Sequence, residues 1–112
     1  MTTSARNVIA AAHRIVVKVG SSSLTAPGGG IDVAKVDELV DVVARARQAG
    51  REPILVSSGA IATGFPALGM PHRPRDLAGK QAAASVGQGI LLAHYAQRFA
   101  EHDLQVGQVL LT

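Results

Sequence analysis

Two short runs in this 112-residue sequence have residue types suited to work on an anion: Lys18 to Ser22 and Ser57 to Ala60. In the first, Lys-Val-Gly-Ser-Ser, a glycine lets backbone N–H groups approach oxygens closely, two serines add hydroxyl donors, and the lysine brings a mobile point charge. That set suits a phosphate. It is not a Walker-type loop, because the lysine precedes the glycine, and it is not a dinucleotide-binding glycine fingerprint. An ordinary loop after a strand-end lysine fits the same letters. Against that stands the position of Lys18 inside an otherwise apolar run, where an unpaired ammonium is costly to bury. The second run, Ser57-Ser58-Gly59-Ala60, places two hydroxyls and a small flexible pair where a helix would begin. Backbone N–H groups and the helix dipole would then face an anion, although a plain N-cap at Ser58 uses the same residues. A nucleophile elbow fails, since Val56 occupies the position that needs glycine.

The elements that must hold these runs follow from periodicity. Arg14 to Val19 is a β-branched apolar run closed by Gly20, and Pro53 to Ser57 is a second one. Such runs suit strands of a parallel sheet that are covered on both faces. Gly20 to Gly30, with Pro27, reads as a loop or tight hairpin. From Asp32, a plausible N-cap, Val33, Val36, Leu39, Val40 and Val43 recur at helical spacing towards Gly50, and Asp41 and Arg45 form an i,i+4 pair. Asp76 caps a long helix to about His102, with Leu91, Leu92, Tyr95 and Phe99 as its stripe. Gly79, Gly87 and Gly89 within it suggest close backbone packing against another helix or another subunit. Val106 to Leu111 reads as a third strand. Residues 1–12 form a loose leader without periodicity, and 13–112 form one α/β unit. Long crossovers between strands require a parallel sheet between helix layers. Ligands of such sheets bind beyond the carboxyl ends of the strands, where both runs fall.

Composition narrows the classes. Hydrophobic residues are 47% and aromatic residues 3%, with no cysteine and a formal charge of +3. Disulfides and thiolate metal sites are therefore excluded. Aromatic stacking platforms for single-stranded nucleic acid are nearly absent. Of the basic residues only Arg73, Arg75 and Lys80 gather locally, which is too little for a nucleic-acid footprint. The four histidines lack metal-ligand spacing, and the acids of the first long helix read as a solvated face. No signal peptide or membrane span is legible, so the expected setting is cytoplasmic.

Taken together, Lys18 to Ser22, the SSGAIA run at 57–62, the KQAAASVGQ run at 80–88 and the closing VGQVLLT stand in the order and spacing of the glutamate 5-kinases, within the amino acid kinase family. The similarity covers residue 14 to the end. It implies a three-layer αβα sandwich with a mainly parallel sheet, incomplete in this chain. It implies transfer of the γ-phosphate of ATP to the side-chain carboxylate of L-glutamate, the first step toward proline, with Mg2+ bridging the β- and γ-phosphates. In that resemblance Lys18, Gly20 and Ser21 contact the ATP phosphates, Lys18 stabilises the phosphoryl group in flight, and Ser58, Gly59 and Ala60 hold glutamate. A homo-oligomer is expected of the full-length parent.

Family members of this kind continue with further acidic and amide residues, a second lysine and a base pocket, and many carry a C-terminal RNA-modification-type (PUA) domain. The chain is therefore expected to be an N-terminal portion with little activity alone. Two rival readings stay open: another acceptor within the same family, or a non-catalytic binding or oligomerisation module.

Overall fold

The computed structural model describes residues 4–111. Its centre is a parallel pair of strands, β1 (Arg14–Val19) and β2 (Glu52–Ser57), in register from Arg14 opposite Glu52 to Val19 opposite Ser57. Parallel neighbours need a long crossover, and α2 (Val33–Gln48) supplies it. Both strands therefore end side by side, and the residues that follow them share one end of the sheet.

Helix α2 starts where Asp32 accepts a hydrogen bond from the Lys35 N–H at 3.3 Å and stops before Gly50. Its buried face is Val36, Val40, Val43 and Ala44. Valine is a modest helix former, so this burial, rather than intrinsic propensity, holds the helix. Helix α4 (Leu77–Ala100) is capped by Asp76, which accepts from the Gly79 N–H at 3.0 Å, and buries Leu91, Tyr95 and Phe99. Together with Leu24 these residues form one core, against which Val19 and Leu55 of the strands pack. Leu24, Leu91, Val36 and Val40 are the largest fully buried side chains, each worth about 1.5–3 kcal/mol of apolar transfer. Polar contacts tie α2 to α4 and to the turn just after it. His94 Nε2 lies 3.3 Å and Arg98 Nε 2.8 Å from one oxygen of Asp37, and His102 Nε2 lies 2.9 Å from Asp41. The Arg98 Nε contact is an ion pair without hydrogen-bond alignment. The expected side-chain pair of Asp41 and Arg45 does not form, because Arg45 Nε instead donates to the Asp41 carbonyl.

Between β2 and α4 runs the short helix α3 (Ala60–Gly64), which lies against α4. The close packing expected of the α4 glycines is met at Gly87, and its neighbour is α3 of the same chain, not another subunit. Gly79 instead faces Pro74 and Asp76, and Gly89 faces open space.

Three further expectations need correction. Of the leader expected over 1–12, residues 1–3 lie outside the described residues, and 5–11 form a helix, α1 (Ala5–Ala11), which the Ser4 hydroxyl caps by accepting from the Asn7 N–H. Val106 to Leu111 is not a strand. Its residues are irregular and exposed, Leu111 to 91%, and no strand lies beside it among the described residues. A lone extended segment has no ladder to join. Third, among the described residues the strand pair is covered on one face only. Ile15, Val17, Val19 and Leu55 point to the helices, whereas Val16, Ile54 and Val56 on the other face are 64, 48 and 47% exposed. The α/β class and the parallel pairing stand, as a partial fold.

Candidate active site

Lys18 is the penultimate residue of β1 and stands on the open face of the sheet, between Val16 and the strand end. Its ammonium folds back over the following loop, with Nζ 3.9 Å from the place a Gly20 Cβ would occupy. Lys18 is exposed on that face, so in this chain its charge stays hydrated. After Gly20 the chain makes a 3-10 turn at Ser21–Ser23, closed by N–H donation from Ser23 to Gly20 and from Leu24 to Ser21. Leu24, fully buried, anchors the turn in the core. Thr25 Oγ1 donates to the Ser21 carbonyl at 2.9 Å, and Lys35 Nζ donates to the Ser22 carbonyl at 3.2 Å. The Gly20–Ser23 segment is thus a braced loop, not a slack one.

The second run leaves β2 at the same end. Ser58 ties it to β1 twice, through its N–H at 3.2 Å and its Oγ at 3.1 Å from the Val19 carbonyl. The Ser58 hydroxyl is therefore spent on β1 and does not cap α3. Gly59 takes the N-cap position, with φ +101° and no side-chain cap, a conformation that costs other residues about 1–2 kcal/mol. Its α-carbon lies against the first loop, and a Cβ there would come within 3.3 Å of Ser21 Cα. The N–H groups of Ala60, Ile61 and Ala62 form the first turn of α3 and so lack intrahelical acceptors. All six residues singled out from sequence, Lys18, Gly20, Ser21, Ser58, Gly59 and Ala60, gather at the carboxyl ends of β1 and β2, in two abutting segments.

Sequence reasoning missed a groove beside Ser21, which takes in none of the other five residues. With a volume of about 770 Å3, it runs along Ser21 and Ser22 and is bounded by Lys35, Phe65, His72 and Arg73. His72 and Arg73 continue into a shallower depression with Arg75 and Lys80. The cluster at 73–80 was visible as composition, but the placement of Arg73 near Ser21 depends on how the segment between α3 and α4 folds back. The donor set of ammonium, hydroxyls and backbone N–H groups fits phosphate or carboxylate oxygens. It does not fit a hard divalent cation, because no carboxylate lines the groove among the described residues.

Residues 13–112 match the model of the Amino acid kinase family. The chain is 71% identical over 110 residues to a Glutamate 5-kinase of Cutibacterium acnes, covering 98% of this chain and 28% of that protein. It is 62% identical over 108 residues to a Glutamate 5-kinase of Streptomyces coelicolor, covering 96% and 29%. A Glutamate 5-kinase of Thermobifida fusca is 60% identical over 107 residues, covering 96% and 28%. The chain thus spans between a quarter and a third of the length of these relatives. With a family match across all but its first twelve residues, the chain belongs to the amino acid kinase family.

Proposed function

We propose that this chain supplies the phosphate loop and part of the acceptor loop of an enzyme that transfers the γ-phosphate of ATP to the side-chain carboxylate of L-glutamate. The observation that carries the reading is the contact of Gly59 with Ser21, which sets the Lys18–Ser22 loop beside Ser58–Ala60. Two anions that must react with each other need adjoining sets of donors, and the carboxyl ends of β1 and β2 provide them. The relatives' shared name, Glutamate 5-kinase, supports glutamate as the acceptor.

A carboxylate is already a nucleophile, so this transfer needs no general base. Positioning and charge neutralisation do the work. Lys18, mobile and hydrated, follows the phosphoryl oxygens as charge shifts along the reaction axis. Gly20 leaves room for backbone N–H groups to approach them, and Ser21 adds a hydroxyl. Gly59 and Ala60 offer N–H groups to the acceptor, and Ser58 joins them once its hydroxyl leaves the Val19 carbonyl. Mg2+ is part of the family chemistry, but among the described residues no carboxylate lines the groove to hold it. A cytoplasmic setting and a homo-oligomeric parent belong to the same reading. Among the described residues no helix is long and apolar enough to cross a membrane.

The test is ATP-dependent γ-glutamyl hydroxamate formation, by the chain itself and by a chimaera in which it replaces the matching segment of the Cutibacterium acnes relative. Glutamate, N-acetylglutamate and aspartate are compared as acceptors. Activity of the chimaera with glutamate above the other two supports the reading. A preference for another acceptor, or a well-folded but inactive chimaera, overturns it.

A further inference from the structure

Tyr95 lies in the core on α4, its ring beside that of Phe99 with centroids 6.4 Å apart. Its hydroxyl reaches the end of β2, where Oη stands 3.0 Å from Ser57 Oγ. Ser57 Oγ in turn lies 3.3 Å from the carbonyl oxygen of Ser58. The available protons set the direction of this chain. A carbonyl only accepts, so the single hydroxyl proton of Ser57 goes to Ser58, and Tyr95 must donate to Ser57. The result is a two-step strut from the helix core to the peptide that joins Ser58 to Gly59.

In a trans peptide the C=O and N–H point to opposite sides. Holding the Ser58 carbonyl against Ser57 therefore turns the Gly59 N–H away from the core. That peptide can turn over readily, because Gly59 at φ +101° carries no Cβ to restrict it. We propose that Tyr95 is a positioning residue for the acceptor: through Ser57 it fixes the Ser58–Gly59 peptide with the Gly59 N–H presented to the acceptor carboxylate. The inference rests on the acceptor reading above and assigns Tyr95 no contact with reacting atoms. Burial pushes the Tyr95 phenol above its ordinary value, so it remains a donor at neutral pH.

The experiment compares Tyr95→Phe, Ser57→Ala and Ser57→Thr. Tyr95→Phe keeps the ring and removes only the oxygen, and Ser57→Thr keeps the hydroxyl. In 1H–15N spectra of the full chain, the Gly59 amide shifts or broadens by exchange in the first two variants and returns to its place in Ser57→Thr. The Gly89 amide, in open space on the same helix as Tyr95, stays put. In the chimaera the first two variants raise the KM for glutamate about five-fold, the effect of one net hydrogen bond, and leave the KM for ATP unchanged. A Gly59 amide that does not respond to either variant overturns the strut. A displaced Gly59 amide with an unchanged glutamate KM overturns its role toward the acceptor. An unsubstituted chimaera without glutamate activity defeats the acceptor reading instead, and the Gly59 spectra still decide whether the strut holds.

Discussion

Gly64 of α3 and Gly87 of α4 meet backbone to backbone: a Cβ on Gly64 would lie 1.9 Å from the Ala83 carbonyl oxygen, and one on Gly87 would lie 1.7 Å from that of Ala60. Neither clash involves a flexible side chain, so the helices themselves would have to separate. Gly87→Ala or Gly64→Ala is expected to cost at least about 3 kcal/mol, at the upper end for overpacking. Gly89→Ala, facing open space on the same helix, should gain up to about 1 kcal/mol from helix propensity. Urea unfolding of the three variants checks this, and equal effects at Gly87 and Gly89 would remove the crossing from the account of the fold. The crossing also matters to the site, because α3 opens directly from Gly59.

Lys18 stands on the open face of the sheet, so its removal should leave the fold intact and strike only the chemistry. Lys18→Met is expected to lower the rate of glutamate phosphorylation about 100-fold, the scale of one lost electrostatic donor to a transition state. Unfolding midpoints should stay within experimental scatter of the parent. Lys18→Arg should not restore the rate, since a rigid planar fork cannot follow the phosphoryl group as a point charge does. Steady-state kinetics in the chimaera beside thermal melts separates the two effects. Full activity in Lys18→Met would strip this residue of its assigned part.

How much of this was legible in advance depends on whether the signal is local. Asp32 and Asp76 announce their helices because capping is decided within three residues, and both cap as expected. Lys18, Gly20 and Ser58 could be placed at strand ends because a β-branched run stopped by glycine or serine is a local pattern. Leu24 was hidden in a segment that reads as a turn-rich loop, yet it is fully buried; its burial comes from α2 and α4, far along the chain. The Tyr95–Ser57 contact spans 38 positions, and nothing at either residue signals the other. Val106 to Leu111 has the letters of a strand, but strand formation is a property of a pair, and no neighbour lies beside it among the described residues.

Gly59→Ala tests the left-handed turn between the two loops. The substitution meets the strain of φ +101° and a contact at 3.3 Å from Ser21 Cα. Stability should fall by about 1–2 kcal/mol from the backbone term alone. Because the contact pushes on Ser21, binding of both substrates should weaken, unlike the glutamate-selective effect expected for Tyr95→Phe. Measuring the KM for ATP and for glutamate in the same variant decides the point. A change confined to glutamate would mean that the two loops move independently.

Glu52 at the head of β2 lies across from Arg14. Its carboxylate accepts from Arg14 Nη2 at 2.8 Å and Nε at 3.0 Å, and His13 Nε2 lies 3.2 Å away. The Arg14 guanidinium, with help from His13, holds the Glu52 carboxyl below its ordinary value of 4.5. A carboxylate depressed in the folded state favours folding above its unfolded value, and that contribution is lost as pH falls through the folded one. Glu52 is solvent-exposed, so the effect is small and salt-sensitive. Thermal melts from pH 6 to pH 3 should show a steeper acid decline for the parent than for Glu52→Gln, with the difference fading in high salt. Parallel curves would show that this strand-head pair adds nothing to stability.

Tyr95 gives the opposite slope at the alkaline end. Burial raises its phenol above the ordinary value of 10.0. An acid whose neutral form is favoured by folding stabilises the native state fully below its unfolded value. That contribution is lost as pH climbs from about 10 through the raised folded value, because the unfolded chain ionises first. The chain has one tyrosine and no tryptophan, so absorbance near 295 nm reports Tyr95 alone. Its ionisation should coincide with loss of helical circular dichroism in a single alkaline transition. In Tyr95→Phe that transition should move to higher pH, even though the variant is less well braced at neutral pH. Ionisation at the ordinary value with the helices intact would place the Tyr95 hydroxyl in water, and the strut to Ser57 would fall with it.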